Sequence, residues 1–252
     1  MRFGELGADV TGTGDHRPPV VLLHGLTFDR HMWAPMVREL SGRRVLALDL
    51  PGHGDSLRRN SYDLNEVVEV LHDALRIADV ERPVMVGHSV GGLLATMYAG
   101  NHPTRAVLNI DQPLLPGPFG EYLRSVEAVL RGPDHLSIWV KLLAGMGTEQ
   151  LAPQHRRLLR TKPRQDILLG YWKEILETSP AILRERRAQQ LTAVRGAGTA
   201  YHYVSRSVVA ADYAEWFLEM LPEAGITVLP GNGHFPHVAQ PAALAAILSG
   251  WE

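Results

Sequence analysis

The chain has no cysteine at all, so disulfides, thiolate metal sites and a cysteine nucleophile are excluded. Lysine is scarce, at positions 141, 162 and 173 only, while arginine is plentiful; that imbalance reads as genomic bias rather than mechanism. Neither sign of charge dominates: 25 basic residues stand against 27 acidic ones, with a net charge of −2. Nucleic acid and an anionic membrane are therefore not expected partners. No apolar run is long enough to span a bilayer, and Met1-Arg2-Phe3-Gly4-Glu5 lacks the apolar core of a signal peptide, so a cytoplasmic protein is expected. Repeats, low-complexity tracts, Gly-rich phosphate cradles, metal-ligand clusters and basic–aromatic stripes are also missing, so neither a cofactor nor a metal is expected. What is present is 252 residues, 45% hydrophobic and 21% charged. That suits one large α/β domain with a substantial core.

The hydrophobic pattern supplies the architecture. Residues up to Asp15 suggest an edge hairpin. Val20-Val21-Leu22-Leu23, Val45-Leu46-Ala47-Leu48-Asp49, Pro83-Val84-Met85-Val86 and Ala106 to Asp111 are short, continuous apolar runs, the signature of strands buried on both faces. Helical spacing separates them: Trp33, Met36, Val37 and Leu40, then Leu64, Val67, Val68, Leu71 and Leu75. Such alternation predicts a mostly parallel sheet flanked by helices. After Pro113 the pattern changes. From Phe119 to about Gln190 only helical spacing is seen, before strands resume at Thr199–Val204 and Ile226–Leu229 around a helix from Asp212 to Leu221. The expected organisation is a core of residues 1–112 and 195–252, with residues 113–194 inserted as a helical cap over the carboxyl ends of the strands, where open α/β sheets bind ligands.

One stretch organises the chemistry. The apolar run from Pro83 breaks at Gly87-His88-Ser89-Val90-Gly91, and a small-residue helical pattern follows at once. Strand, Gly-x-Ser-x-Gly turn and helix together make a nucleophile elbow, which exposes a serine hydroxyl at a helix N-terminus. The flanking glycines are required because side chains there would clash in so tight a turn. A serine hydroxyl needs a base within hydrogen-bond reach, a role that one of the chain's histidines could fill.

With His24-Gly25 after one strand, Asp49-Leu50-Pro51-Gly52-His53-Gly54 after the next, the Ser89 elbow, and Gly233-His234-Phe235 near the C-terminus, the chain closely resembles the α/β-hydrolase family. The resemblance implies that Ser89 is the nucleophile and His234 the base. It also implies an oxyanion hole of two backbone N–H groups, those of Val90 and Leu26, with Thr27 as a substitute for Leu26. His24 and His53 are then structural, His88 a packing residue or site wall, and His237 a rim residue. The acid departs from the family's usual place. The strand from Thr199 ends in Val204-Ser205-Arg206-Ser207 without a carboxylate, and the following Asp212 suits the first turn of a helix. Asp111, after the strand that follows the elbow helix, is the acid adopted. Some members, among them lactonases and cofactor-free dioxygenases, carry it there. Asp212, or a weakly oriented Ser–His dyad, is the alternative.

The expected substrate is a small carboxylic ester or lactone. Phe28, Trp33, His88, Trp139, Tyr171, Trp172 and Phe235 are expected to wall its pocket, and the arginines of residues 113–194 to form mainly a solvated face. Two other functions fit the scaffold: a cofactor-independent non-hydrolytic enzyme (dioxygenase or natural-product cyclase), in which His234 and Asp111 are the base, and a ligand receptor. Epoxide hydrolase and haloalkane dehalogenase chemistry would need a carboxylate where Ser89 stands.

Overall fold

The computed structural model describes residues 1–13, 15–231 and 233–251. Asn232, in the loop expected around His234, lies outside them. The edge hairpin is β1 (Arg2–Phe3) and β2 (Leu6–Thr11), followed by β3 (Val20–Leu23). A 3-10 turn over Arg30–Trp33 leads into α1 (Ala34–Glu39), then come β4 (Val45–Leu48), α2 (Leu64–Ile77), β5 (Val84–His88), α3 (Val90–Asn101) and β6 (Ala106–Ile110). The helical stretch holds α4 (Gly117–Ser125), α5 (Glu127–Arg131), α6 (His135–Ala144), α7 (Pro153–Arg156), α8 (Gln165–Glu177) and α9 (Pro180–Gly196). The chain closes with β7 (Ala200–Ser205), α10 (Ala211–Met220), β8 (Gly225–Val228), α11 (Pro236–Ala239) and α12 (Pro241–Ser249).

The strands form one eight-stranded sheet in the order β1-β2-β4-β3-β5-β6-β7-β8. The edge strands β1 and β2 are antiparallel and the remaining six run parallel. Every residue of β3, β4, β5 and β6 is buried, which is why those segments read as unbroken apolar runs and not as alternation. The chain passes from β3 to β4 on one side and then crosses back over β3 to β5 on the other, a switch point whose carboxyl end is the natural place for a site.

Helix α2 shows how sequence fixes an element here. The Asp63 side chain caps it by accepting the Asn65 N–H, and Leu64, Val67, Val68, Leu71 and Leu75 bury one face. Helix α3 is buried over nearly its whole length because α2 and α9 cover it. Helix α9, within the residues 113–194 expected as the cap, packs along α3 and meets both α8 and α10.

The helices before α9 are tied to the core loops by specific bonds. The Tyr171 hydroxyl donates to Pro51 O at 3.0 Å, the Arg164 guanidinium to Gly52 O at 3.1 Å, and the Lys162 N–H to Thr27 O at 3.0 Å. Tyr62 stacks on Tyr171 with ring centres 5.5 Å apart. Gly170 permits this approach, since a Cβ there would stand 2.7 Å from that of Tyr62. Among the described residues no helix is long and apolar enough to cross a membrane.

Candidate active site

The Ser89 turn is built by steric exclusion. Ser89 adopts φ 53° and ψ −130°, a conformation that non-glycine residues rarely hold. A Cβ on Gly87 would lie 2.0 Å from Gly91 O, and one on Gly91 2.3 Å from Leu23 O. Only glycine fits at either place, so the spacing of the motif is a packing requirement. The turn sets Ser89 at the N-terminus of α3, half-buried on the wall of a cavity of about 510 Å³.

His234 and Asp111 stand on the same wall. The His234 Nδ1–H donates to Asp111 Oδ2 at 2.6 Å, and the Arg206 N–H donates to Asp111 Oδ1 at 2.9 Å. Burial alone would raise the Asp111 carboxyl, but the hydrogen bond and charge of His234, together with the Arg206 contacts, hold it below the ordinary carboxylate range. Asp111 itself sits at φ 54°, at the end of β6, with its N–H bonded to Val204 O. Asp212 is elsewhere: it is exposed in the first turn of α10, accepting the Tyr213 N–H. Among the described residues the Ser89 hydroxyl makes no hydrogen bond, and such contacts commonly tighten only when substrate is bound.

The backbone donors are equally specific. Leu26 and Val90 both line the cavity, and among the described residues neither N–H has a backbone acceptor. The Thr27 N–H is occupied, donating to His53 Nε2 at 3.0 Å. Two buried histidines fix this loop. His24 Nε2 accepts from the Leu50 N–H at 2.9 Å while its Nδ1 donates to Gly25 O, and the His53 Nδ1–H donates to Pro51 O. Burial keeps both neutral, lowering His24 to about 4 and His53 to about 3.

The His234 segment is held from two sides. Its own N–H donates to Met146 O at 2.8 Å, from the turn after α6. Its carbonyl accepts from His88 Nε2 at 2.7 Å, from the elbow strand. Sequence reasoning missed the first contact, because nothing in the pattern pairs residue 146 with residue 234.

Phe28, Trp139, Tyr171 and Trp172 stand on the cavity wall. Trp33, His88 and Phe235 do not: all three are fully buried in the packing beneath it. Trp33 lies against His237, His88 sits between His234 and His237, and Phe235 meets Phe28 edge to face at 5.5 Å. His237, expected at the rim, is fully buried with them. The apolar neighbours in the fold take these rings inward, which sequence position near a loop cannot reveal. Several wall residues were not assigned to the pocket from the sequence, among them Leu93, Phe119, Tyr122, Leu142, Ile175 and Arg206. Among the described residues no group of three or more histidine, aspartate or glutamate side chains gathers to hold a metal ion.

Comparison with known proteins identifies the family. The pattern of the Alpha/beta hydrolase family matches residues 20–247. The chain is 30% identical over 258 residues to the pimeloyl-[acyl-carrier protein] methyl ester esterase of Yersinia enterocolitica, covering 95% of this chain and 94% of that protein. It is 29% identical to the 2-succinyl-6-hydroxy-2,4-cyclohexadiene-1-carboxylate synthase of Enterobacter sp. strain 638, covering 92% and 90%. In fold it resembles an AqdC variant solved with the Pseudomonas quinolone signal whose ring it cleaves (TM-score 0.81, 19% identity, covering 98% of this chain and 94% of that one). It likewise resembles the enol-lactonase of Burkholderia xenovorans LB400 (TM-score 0.75, 18% identity, covering 98% and 95%). With the elbow, the parallel sheet and a family match running through most of its length, the chain belongs to the alpha/beta hydrolase family.

Proposed function

We propose that the protein hydrolyses a small carboxylic ester or lactone through a Ser89–His234–Asp111 triad and an acyl-enzyme. The observation that carries this reading is the 2.6 Å bond from His234 Nδ1 to Asp111. With Nδ1 committed as a donor, Nε2 is the nitrogen left to accept a proton, and Ser89 stands on the same wall. Ser89 Oγ attacks the carbonyl carbon as its proton passes to His234 Nε2, and Asp111 stabilises the imidazolium. The oxyanion is met by the N–H groups of Leu26 and Val90, at the positive end of α3, each worth about 3–4 kcal/mol in such sites. Collapse expels the alcohol, which takes the proton from His234. Water then repeats the sequence on the acyl-enzyme and releases the acid. The helices from α4 to α8 act as a cap that shapes the acyl or alcohol pocket and keeps water out. The relatedness to esterases over nearly the whole chain supports the same reading.

The second reading, a non-hydrolytic base formed by His234 and Asp111, draws on the Ser89 hydroxyl having no hydrogen bond to His234 while the Asp111 contact is fully made. Labelling by an active-site phosphonate, with turnover of short aryl esters by Ser89→Ala, separates the two. We expect covalent labelling at Ser89 and loss of turnover, with the melting temperature nearly unchanged because the half-buried hydroxyl carries little packing. A Ser89→Ala protein that retained its turnover would remove acyl-enzyme chemistry and leave the histidine base.

A further inference from the structure

The cavity wall has a charge left over. Two of its side chains are carboxylates, and each is already engaged: Asp111 by His234 and Arg206, Glu174 by Arg186 and Arg187. Three of its side chains are permanent cations, Lys141, Arg187 and Arg206. Arg187 is committed to Glu174, and Arg206 Nε lies 3.5 Å from Asp111 Oδ2. Lys141 is different. Among the described residues no carboxylate lies within ion-pair reach of its ammonium, which stands instead 5.3 Å over the centre of the Tyr122 ring. The wall therefore carries one more cation than carboxylate, in a chain whose net charge is −2. The sign at the site is opposite to the sign of the protein.

Much of the cavity wall is apolar. Phe119, Trp139, Leu142, Trp172 and Ile175 share the wall with Lys141, and none of them offers an anion. An apolar cavity with one uncompensated ammonium suits a ligand with an apolar body and a single negative charge. A monoanionic carboxylate meets that description. A phosphate would call for several donors at once, such as a bidentate arginine or a backbone nest, and the two wall arginines are already paired. Resting on the hydrolase reading above, we propose that the ester or lactone taken by this site carries a free carboxylate, which Lys141 engages from α6. Lys141 is exposed on the cavity lining, so solvent and salt screen the contact and the selectivity is modest, about two- to fivefold.

The test compares the monoaryl ester of a linear dicarboxylic acid with the matching aryl ester whose far end is a neutral methyl ester. In the intact protein kcat/KM is expected to be about two- to fivefold higher for the carboxylate, a preference that shrinks as ionic strength rises. Lys141→Met should abolish the preference and Lys141→Arg should keep it. Calorimetric titration of Ser89→Ala, with and without Lys141→Met, measures binding of the same two compounds without chemistry. Hydrolysis of both esters without preference, or a preference that survives Lys141→Met, overturns the inference and leaves the hydrolase reading standing. If neither ester is turned over while Ser89→Ala still binds the carboxylate in a Lys141-dependent way, the hydrolase reading fails and this one stands.

Discussion

Replacing Asp111 by asparagine isolates the role of one proton position. Asparagine has nearly the same shape, and it tolerates positive φ better than most residues, so the backbone at φ 54° should hold. Its amide oxygen can still accept the Arg206 N–H now made at 2.9 Å. The amide NH₂ then replaces the oxygen that takes the His234 Nδ1–H at 2.6 Å. Two donors cannot face each other, so the imidazole must carry its proton on Nε2 and present Nδ1 as the acceptor. That tautomer cannot take the Ser89 proton. In a well-studied triad the same exchange lowers turnover about 10⁴-fold, or about 5.4 kcal/mol at 1.36 kcal/mol per decade. Little of that loss should be structural, because Arg206 is partly exposed and its contact with the Asp111 side chain is screened. The assay is kcat and KM on an aryl ester, with a thermal melt on the same samples. We expect kcat to fall by three to four decades (order of magnitude) with KM within about threefold and the fold intact. Asp212→Asn, exposed on α10, should stay at the level of the unaltered protein. Full activity in Asp111→Asn would show that this carboxylate does not orient the imidazole.

Acid should destabilise the fold through its buried histidines. His24 and His53, lowered to about 4 and about 3, stay neutral in the folded state while the unfolded chain takes up protons near its ordinary histidine pKa of about 6.5. Stability should thus be full above pH ~6.5 and fall toward pH ~4 by roughly 1.4 kcal/mol per pH unit for each, read by denaturant melts; a flat profile over that window would refute the assignment. Removing Arg30 strands charge: its guanidinium bonds Asp49, which is fully buried, as well as Asp9 and Asp55. Arg30→Met should cost about 3–5 kcal/mol in chemical denaturation, and a loss under about 1 kcal/mol would mean that water or a rearranged donor replaces it. Gly87→Ala puts a Cβ 2.0 Å from the Gly91 carbonyl, so the elbow must shift; loss of aryl-ester turnover with a lowered melting temperature is expected, and a normally active, normally stable variant would contradict the turn geometry.

The sequence determined what depends on neighbours along the chain. Four fully buried parallel strands wrote themselves as continuous apolar runs, since both faces of each are covered and no polar alternation is tolerated. The elbow was legible because Gly87 answers a local steric demand from Gly91 within five residues, although the demand on Gly91 itself comes from Leu23 of β3. Asp111 was legible as a candidate because it ends a strand beside the elbow strand. Which of the two carboxylates meets His234 is set only in the tertiary structure, by a contact spanning 123 residues. The same holds for His234, clamped between the Met146 carbonyl and His88 by bonds that no periodicity encodes. It holds for α9, which reads like its helical neighbours but packs on α3. And it holds for the aromatics: Trp139 and Trp172 reach the cavity while Trp33 and Phe235 turn into the core, because a side chain's environment is set by the elements packed around it, and those come together only in the folded chain.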